Sequence, residues 1–350
     1  MREISTARPL PPLQARTDRR CANQLQDAFV HEIGAAYLAR AETADVAELR
    51  GWQPAGHAWP LLRDLQRRAV GMRRRAAQID GQNLVWIEGG NPRGEPVLLL
   101  HGFTSSKENW LLMLPFLLQH HRVLMPDLPG WGESQFLHDA DYSMDRQVAR
   151  VAEWTRSVID VPVHVVGSSM GGAIAGLLAA RHPELVATLT LMNAAGLRGE
   201  RASPFEEGLL QGRNGLVARN FSEVMQIFEN VVERGRTPLM LALVPAMYGE
   251  FVSRRAVNLH LFAQLVSQPP STGLPGIDAI RVPTLVLWGE QDRILDVSCA
   301  DAFASLLPQA EVKRLRGVGH LPMIEVPGVT ARRLRGFWQR HAAAPLACAA

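Results

Sequence analysis

The sequence predicts an α/β architecture, a mostly parallel central sheet flanked by helices, with a helical insertion late in the chain. Three observations carry that expectation. From about residue 74, short apolar runs alternate with helical segments, the rhythm of a parallel sheet covered on both sides. The runs at 97–100, 163–166 and 284–288 are apolar without alternation, as central strands buried on both faces require. Residues 198–276 break the rhythm, because they contain no convincing strand.

Each element has its own signal. Residues 1–22 are rich in Pro and Arg, a composition that favours disorder. The stretch QLQDAFVHEIGAAYLARAE puts Leu25, Phe29, Ile33 and Tyr37 on one helical face, and a second helical piece covers about 60–72. Strands are expected at 84–88, 96–102, 121–127, 161–167, 187–193, 282–289 and 310–315. Helices are expected near 106–119, 144–159, 171–182, 297–307 and 327–341. Inside the strandless interval, FSEVMQIFENVVERG places Phe221, Val224, Met225, Phe228 and Val232 on one stripe. TPLMLALVPAMYGEFV and AVNLHLFAQLV are also helical and rich in Leu, Met and Phe, residue types that suit an adaptable apolar pocket. The expected organisation is an N-terminal extension over 1–72, a core built from 73–197 and 277–342, a helical cap over 198–276, and a tail at 343–350.

Composition removes several functions. The formal net charge is +3 with no dense basic face, which argues against nucleic acid as a partner. The basic excess is local, in RDLQRRAVGMRRR at 63–75. It reads first as a solvated helix face and second as a surface in peripheral contact with anionic membrane. Cys21, Cys299 and Cys348 are odd in number and lack metal-ligand spacing, so a reducing, cytoplasmic compartment is expected. No run of about 18 uncharged apolar residues suggests a membrane-spanning helix. The polar N-terminus lacks the apolar centre of a signal peptide.

The chemistry centres on GSSMG, which fits G-x-S-x-G with Gly167, Ser169 and Gly171. The frame makes Ser169 the central serine and leaves Ser168 at a variable position. A strand precedes the motif and the helical MGGAIAGLLAARH follows, so the turn between them raises Ser169 above the sheet edge on a strained backbone. A serine hydroxyl needs a base, and the base needs an orienting acid. In such sheets the chain order is Ser, then acid, then His. VLWGEQDRILD ends a strand and places Asp292 in the following loop, and LRGVGHLPMIE places His320 in a Gly-flanked loop after the last strand. Asp296 is the rival acid. The segment LMNAAGLRG, after the preceding strand, offers no carboxylate before Glu200. Donors for an oxyanion hole are expected from the backbone N–H groups of Phe103 and Met170. His101 and Gly102 then shape the turn rather than react.

With these residues in hand, the chain resembles an α/β-hydrolase from about 70 to 341. HGF at 101–103, PDLPGWGES at 126–134, GSSMGG at 167–172, WGEQDRILD at 288–296 and GVGHLPMIE at 317–325 carry the resemblance. GMRRR, QVARVAEW, NAAGL and WGEQDRILDVSCADAFA are similar to the monoacylglycerol-lipase branch and to related bacterial lipases and esterases. Those relatives often carry an N-terminal anchor or signal segment, where this chain has a polar extension. The resemblance implies an α/β-hydrolase fold with a helical cap insertion, and a serine carboxylic-ester hydrolase with Ser169 as nucleophile, His320 as base and Asp292 as acid. Its substrate would be a small-molecule acyl ester of acylglycerol type, and no metal or organic cofactor is expected. The alternatives are a carbon–carbon bond hydrolase of dienoate ring-cleavage products, for which Arg254 or Arg255 would bind the substrate's carboxylate, and a non-catalytic binding module.

Overall fold

The computed structural model describes residues 29–54, 58–233, 238–267 and 276–341. The expectations for residues 1–22, Leu25, Cys21, Cys348 and the tail at 343–350 lie outside the described residues. Eight strands form among the described residues: β1 (Arg73–Ile79), β2 (Gln82–Gly90), β3 (Pro96–Leu100), β4 (Arg122–Pro126), β5 (Val163–Ser168), β6 (Val186–Met192), β7 (Thr284–Gly289) and β8 (Glu311–Leu315). They make one sheet of order β1-β2-β4-β3-β5-β6-β7-β8. β1 pairs antiparallel with β2, and β2 antiparallel with β4; every later pairing is parallel.

Seven strands fall where apolar runs predict them. β1 does not, and its sequence RRRAAQI explains why. It is an edge strand whose residues are exposed except near its end, so no apolar run marks it. Asp80 and Gly81 close its hairpin, both at positive φ (49° and 74°), as a two-residue turn between twisted strands prefers.

The helices before the sheet are α1 (Ala35–Leu38), which continues a wider π-helical turn at Phe29–Gly34, α2 (Val46–Gly51) and α3 (Ala58–Ala69). Ile33 and Tyr37 are buried, as the helical spacing predicts. Within the sheet's crossovers lie α4 (Met144–Val158) and α5 (Met170–Arg181). Between β6 and β7 the described residues form α6 (Pro204–Leu210), α7 (Phe221–Val231), α8 (Pro238–Ser253) and α9 (Arg255–Ser267), and no strand. Of the expected stripe, Val224 and Val232 are buried and Met225 and Phe228 are half-buried against the core; Ile227 and Val231 join them, and Phe221 alone is exposed, at the first turn of α7. α10 (Ser298–Leu306), α11 (Pro322–Glu325) and α12 (Pro327–His341) complete the chain. The segment expected as a helix near 106–119 winds instead as tighter 3₁₀ turns over Lys107–Phe116. Pro115 lies inside it and cannot donate to a regular helical ladder.

The unbroken apolar runs serve both faces of the sheet. Leu98 and Leu100 of β3 join the core cluster with α5 residues Ile174 and Leu178, whereas Val97 and Leu99 join the opposite cluster with Trp338 of α12. Successive side chains point to opposite faces, so a strand covered on both sides has no polar alternation to show. From β3 the sheet grows in two directions, to β4 on one side and β5 on the other. The carboxyl ends of β3 and β5 therefore flank a topological switch point, where crevices open in sheets of this kind.

Candidate active site

Ser169 stands at that switch point. It follows β5 directly and has φ 54° and ψ −123°, a conformation that costs a non-glycine residue about 1–3 kcal/mol. The turn is tight enough to need its glycines. A Cβ at Gly167 would fall 2.1 Å from the Gly171 carbonyl oxygen, and one at Gly171 would fall 2.4 Å from the carbonyl oxygens of Leu100 and His101. Three backbone amides fix the turn by donating to the Ser169 carbonyl oxygen: Gly172 at 2.8 Å, Ala173 at 3.2 Å and Ala195 at 2.9 Å. Met170 opens α5, so its N–H has no acceptor within the helix and lies at the positive end of the helix dipole. Ser168 is fully buried in β5, and its hydroxyl has no partner among the described residues.

The loops after β7 and β8 bring Asp292 and His320 together. His320 Nδ1 lies 2.7 Å from Asp292 Oδ2, and both residues are buried. A carboxylate only accepts, so Nδ1 carries the hydrogen and Nε2 holds the free lone pair. Asp292 Oδ1 accepts from the amides of Ile294 (2.8 Å) and Leu295 (3.0 Å). A further residue, not singled out from the sequence, completes the set. Asn193, just past β6, donates from Nδ2 to Asp292 Oδ2 at 2.6 Å and accepts at Oδ1 from Gly289 N at 3.3 Å. Its φ is 43°, and Asn tolerates this left-handed region better than most residues do. The signal was present in LMNAAGLRG, where a search for carboxylates passes over an amide.

The rival acid is committed elsewhere. Asp296 Oδ1 accepts from Ser298 N at 2.9 Å at the start of α10 and pairs with Arg201 Nε at 3.3 Å. Ser169 Oγ makes no hydrogen bond to His320 among the described residues. Such bonds are often long in ligand-free enzymes and tighten when substrate binds.

The loop after β3, which carries Gly102 and Phe103, is strutted from below. His101 is fully buried. Its Nε2 accepts from Leu128 N at 2.9 Å, which leaves Nδ1 to donate to Gly102 O at 2.8 Å. Burial pushes the His101 pKa down, against the nearby Asp127, so a neutral ring bridges the two loops. Lys107, at the loop's far end, is also fully buried. Its Nζ lies 2.5 Å from Asp127 Oδ2, 2.7 Å from Glu133 Oε2 and 3.0 Å from Glu108 Oε1, and its amide donates to Asp127 Oδ1 at 2.9 Å. Burial opposes the Lys107 charge, but these carboxylates, Asp127 foremost, outweigh it and hold the pKa above its usual value.

The basic run at 63–75 supplies part of this cluster, which corrects its first reading as a solvated face for Arg63 and Arg67, whereas Arg68 and Arg73–Arg75 are exposed. Arg63 and Arg67 are buried against Glu133, 3.8 Å and 3.3 Å away, and Arg63 also lies 3.8 Å from Glu108. Carboxylates from distant loops, invisible in the local pattern, draw them inward.

Above Ser169 lies a cavity of about 110 Å³. Phe103, Ser169 and Met170 line it together with Ala173 and Leu177 of α5. Phe205, Leu216, Phe262, Leu265 and Val266 come from the segment between β6 and β7. The lining is apolar apart from the serine. Neither Arg254 nor Arg255 lines it: Arg254 stacks 4.8 Å over Trp52 and donates to the Gly130 carbonyl, and Arg255 pairs with Glu42.

A switch-point serine on a strained elbow, together with a buried Asp–His pair in the loops after β7 and β8, defines the class as a hydrolase on an open α/β sheet. Comparison with known proteins agrees. The family described as alpha/beta hydrolase fold matches residues 95–327. Lipase 1 of Psychrobacter immobilis is 31% identical over 259 residues, covering 73% of this chain and 81% of its own. Monoacylglycerol lipase ABHD6 of Homo sapiens is 30% identical over 285 residues, covering 77% of this chain and 83% of its own. The crystal structure of a membrane phospholipase A, described as a bacterial virulence factor, aligns with a TM-score of 0.75 at 33% identity, covering 82% of this chain and 92% of that one. The chain belongs to the α/β-hydrolase-fold family.

Proposed function

We propose that the protein hydrolyses acylglycerol-type or similar medium-to-long acyl esters through an acyl-enzyme on Ser169. Kinship with lipases makes it a carboxylic-ester hydrolase. The residue roles rest on geometry. Ser169 Oγ attacks the ester carbonyl while His320 Nε2, free because Nδ1 is held by Asp292, takes its proton. The amides of Phe103 and Met170 receive the oxyanion. His320 then protonates the leaving alcohol, and a water activated by the same nitrogen releases the acid.

One observation carries the substrate class: the cavity that contains Ser169 is walled by apolar side chains of α5 and of the segment between β6 and β7. That segment serves as the cap over the acyl group, at the expected boundaries of 198–276, set into a core of 73–197 and 277–342. A dienoate carboxylate would need a cation in the cavity, and the two arginines expected for it are engaged elsewhere. Esters of this kind gather at lipid surfaces, so peripheral contact with an anionic membrane belongs to the same proposal. Among the described residues no helix is long and apolar enough to cross a membrane.

The test is a panel of p-nitrophenyl esters and a dienoate, run beside labelling with a fluorophosphonate probe. Ester turnover with a label on Ser169 supports the reading. Dienoate cleavage without ester turnover favours the carbon–carbon hydrolase, and an unlabelled serine leaves only a binding module.

A further inference from the structure

Helix α3 is built inside out. At 100° per residue, Trp59, Arg63 and Arg67 share one arc, and Leu61, Leu65 and Arg68 share the opposite one. The arginines Arg63 and Arg67 face the protein and are each 8% exposed, whereas Leu61 and Leu65 are 72% and 64% exposed. A helix docked on a water-soluble body normally turns its apolar stripe inward. Here charge sets the orientation: Glu108 and Glu133 draw Arg63 and Arg67 in, and the leucines are left facing out.

The surroundings of the two leucines are cationic. Arg68 is exposed on the same face. After Gly71 the chain enters the edge strand β1, where Arg73, Arg74 and Arg75 are exposed. Arg74 and Arg75 pair with Glu133 and Glu88, but no carboxylate among the described residues lies within 4.0 Å of Arg68 or Arg73. Apolar side chains beside unneutralised guanidinium groups match the boundary between acyl chains and anionic headgroups.

We propose that Leu61, Leu65, Arg68 and Arg73 form a docking surface for an anionic lipid bilayer, with the leucines entering the acyl boundary and the arginines held at phosphate level. Charge argues against the other occupants. A second copy on this face would bring Arg68 and Arg73 against their own kind. The chain's first twenty residues carry Arg2, Arg8, Arg16, Arg19 and Arg20 against only Glu3 and Asp18, so they too are mismatched. α3 packs against α8 of the segment that walls the cavity, so a bilayer held here lies beside that segment. The proposal narrows the membrane contact of the ester reading to helix α3 and the start of β1. It rests on that reading only for why a lipid surface is visited.

The experiment is co-sedimentation of the full chain with vesicles of phosphatidylglycerol and phosphatidylcholine, at low and high salt. Hydrolysis of a water-soluble short ester is measured alongside. The expected result is binding that weakens with salt, roughly tenfold weaker for each leucine in Leu61→Ser and Leu65→Ser, and about fivefold weaker in Arg68→Ala. Soluble-ester turnover stays unchanged in all three. Vesicle binding that ignores the leucine substitutions overturns the proposal, whatever the ester result. A photo-reactive side chain in Leu65→p-benzoylphenylalanine should capture lipid. Capture of residues 1–28 of the same chain, or of a second copy, also overturns it.

Discussion

Asn193 Nδ2 donates to Asp292 Oδ2 at 2.6 Å, the same oxygen that His320 Nδ1 reaches at 2.7 Å. With the amides of Ile294 and Leu295 on Oδ1, the carboxylate holds four donors and has one orientation left. In the proposed triad, Asn193 is thus a positioning residue acting through Asp292. Removing its amide frees the carboxylate to rotate and misaims the imidazole. Asn193→Gly keeps the positive φ without strain and is the cleanest test. We expect kcat to fall roughly ten- to a hundredfold with KM little changed, since small misplacements of a catalytic group cost that much. Wild-type kcat in Asn193→Gly would show that the amide is idle.

The two acids should separate cleanly. Asp292→Asn leaves His320 facing an amide and favours the wrong tautomer, so turnover should drop by about 10⁴. Asp296→Asn keeps an oxygen for Ser298 N at the start of α10 and touches neither His320 nor Asp292. Its turnover should stay within about twofold, with at most ~1 kcal/mol lost in urea unfolding. Ester kinetics on both variants decide the matter, and the opposite ranking reassigns the acid.

These contrasts mark where sequence reasoning reaches. The sheet was legible because strands covered on both faces, such as β3, β5 and β7, must be continuously apolar. The Ser169 turn was legible because its glycines are forced by contacts under 2.5 Å. β1 was not, since an exposed edge strand carries no apolar signal. Arg63 and Arg67 were misread because their partners, Glu108 and Glu133, lie at least 45 residues away in sequence. Asn193 was missed because a residue that holds another in place needs no reactive group of its own.

Strain at the elbow predicts a trade between stability and activity. Ser169 sits at φ 54°, where glycine is at ease and serine is not. Ser169→Gly should abolish ester turnover yet stabilise the fold by about 1 kcal/mol, whereas Ser169→Ala should abolish turnover without that gain. Thermal or urea unfolding of the two variants reads the difference. Equal stability in both would mean that the elbow stores no strain.

Leu216 tests the acyl cavity. It lines the wall contributed by the segment between β6 and β7. An enlarged wall in Leu216→Ala should move the preferred acyl length upward, and Leu216→Trp should move it downward. Rates on a p-nitrophenyl ester series check both directions. An unchanged length profile in both variants would place the acyl chain elsewhere.

The buried charge cluster around Lys107, beside the loop after β3, should govern acid stability. Burial pushes the Glu133 carboxyl up, but Lys107 and Arg63 outweigh it and hold its pKa at about 2. Asp127 is held below its usual value in the same way, against its burial, by Lys107 and by the hydrogen bond from the Glu133 amide. A carboxylate with a depressed folded pKa contributes stability that is present above its unfolded value and lost as pH falls through the folded one. For Glu133 that window runs from its ordinary 4.5 down to about 2. Glu108 works in the opposite sense, because its burial outweighs Lys107 and raises its pKa, so protonation relieves it. Urea midpoints should therefore fall between pH 4.5 and 2, and the fall should flatten in Glu133→Gln. Lys107→Met at neutral pH leaves Asp127 and its neighbours without their central cation, which should cost about 3–5 kcal/mol. It should also lower kcat, because Asp127 then loses a partner that ties it to the Phe103 loop. A Lys107→Met protein with wild-type stability would mean that the cluster is solvated rather than sealed. An acid limb of the same slope in Glu133→Gln would assign the loss to other carboxylates.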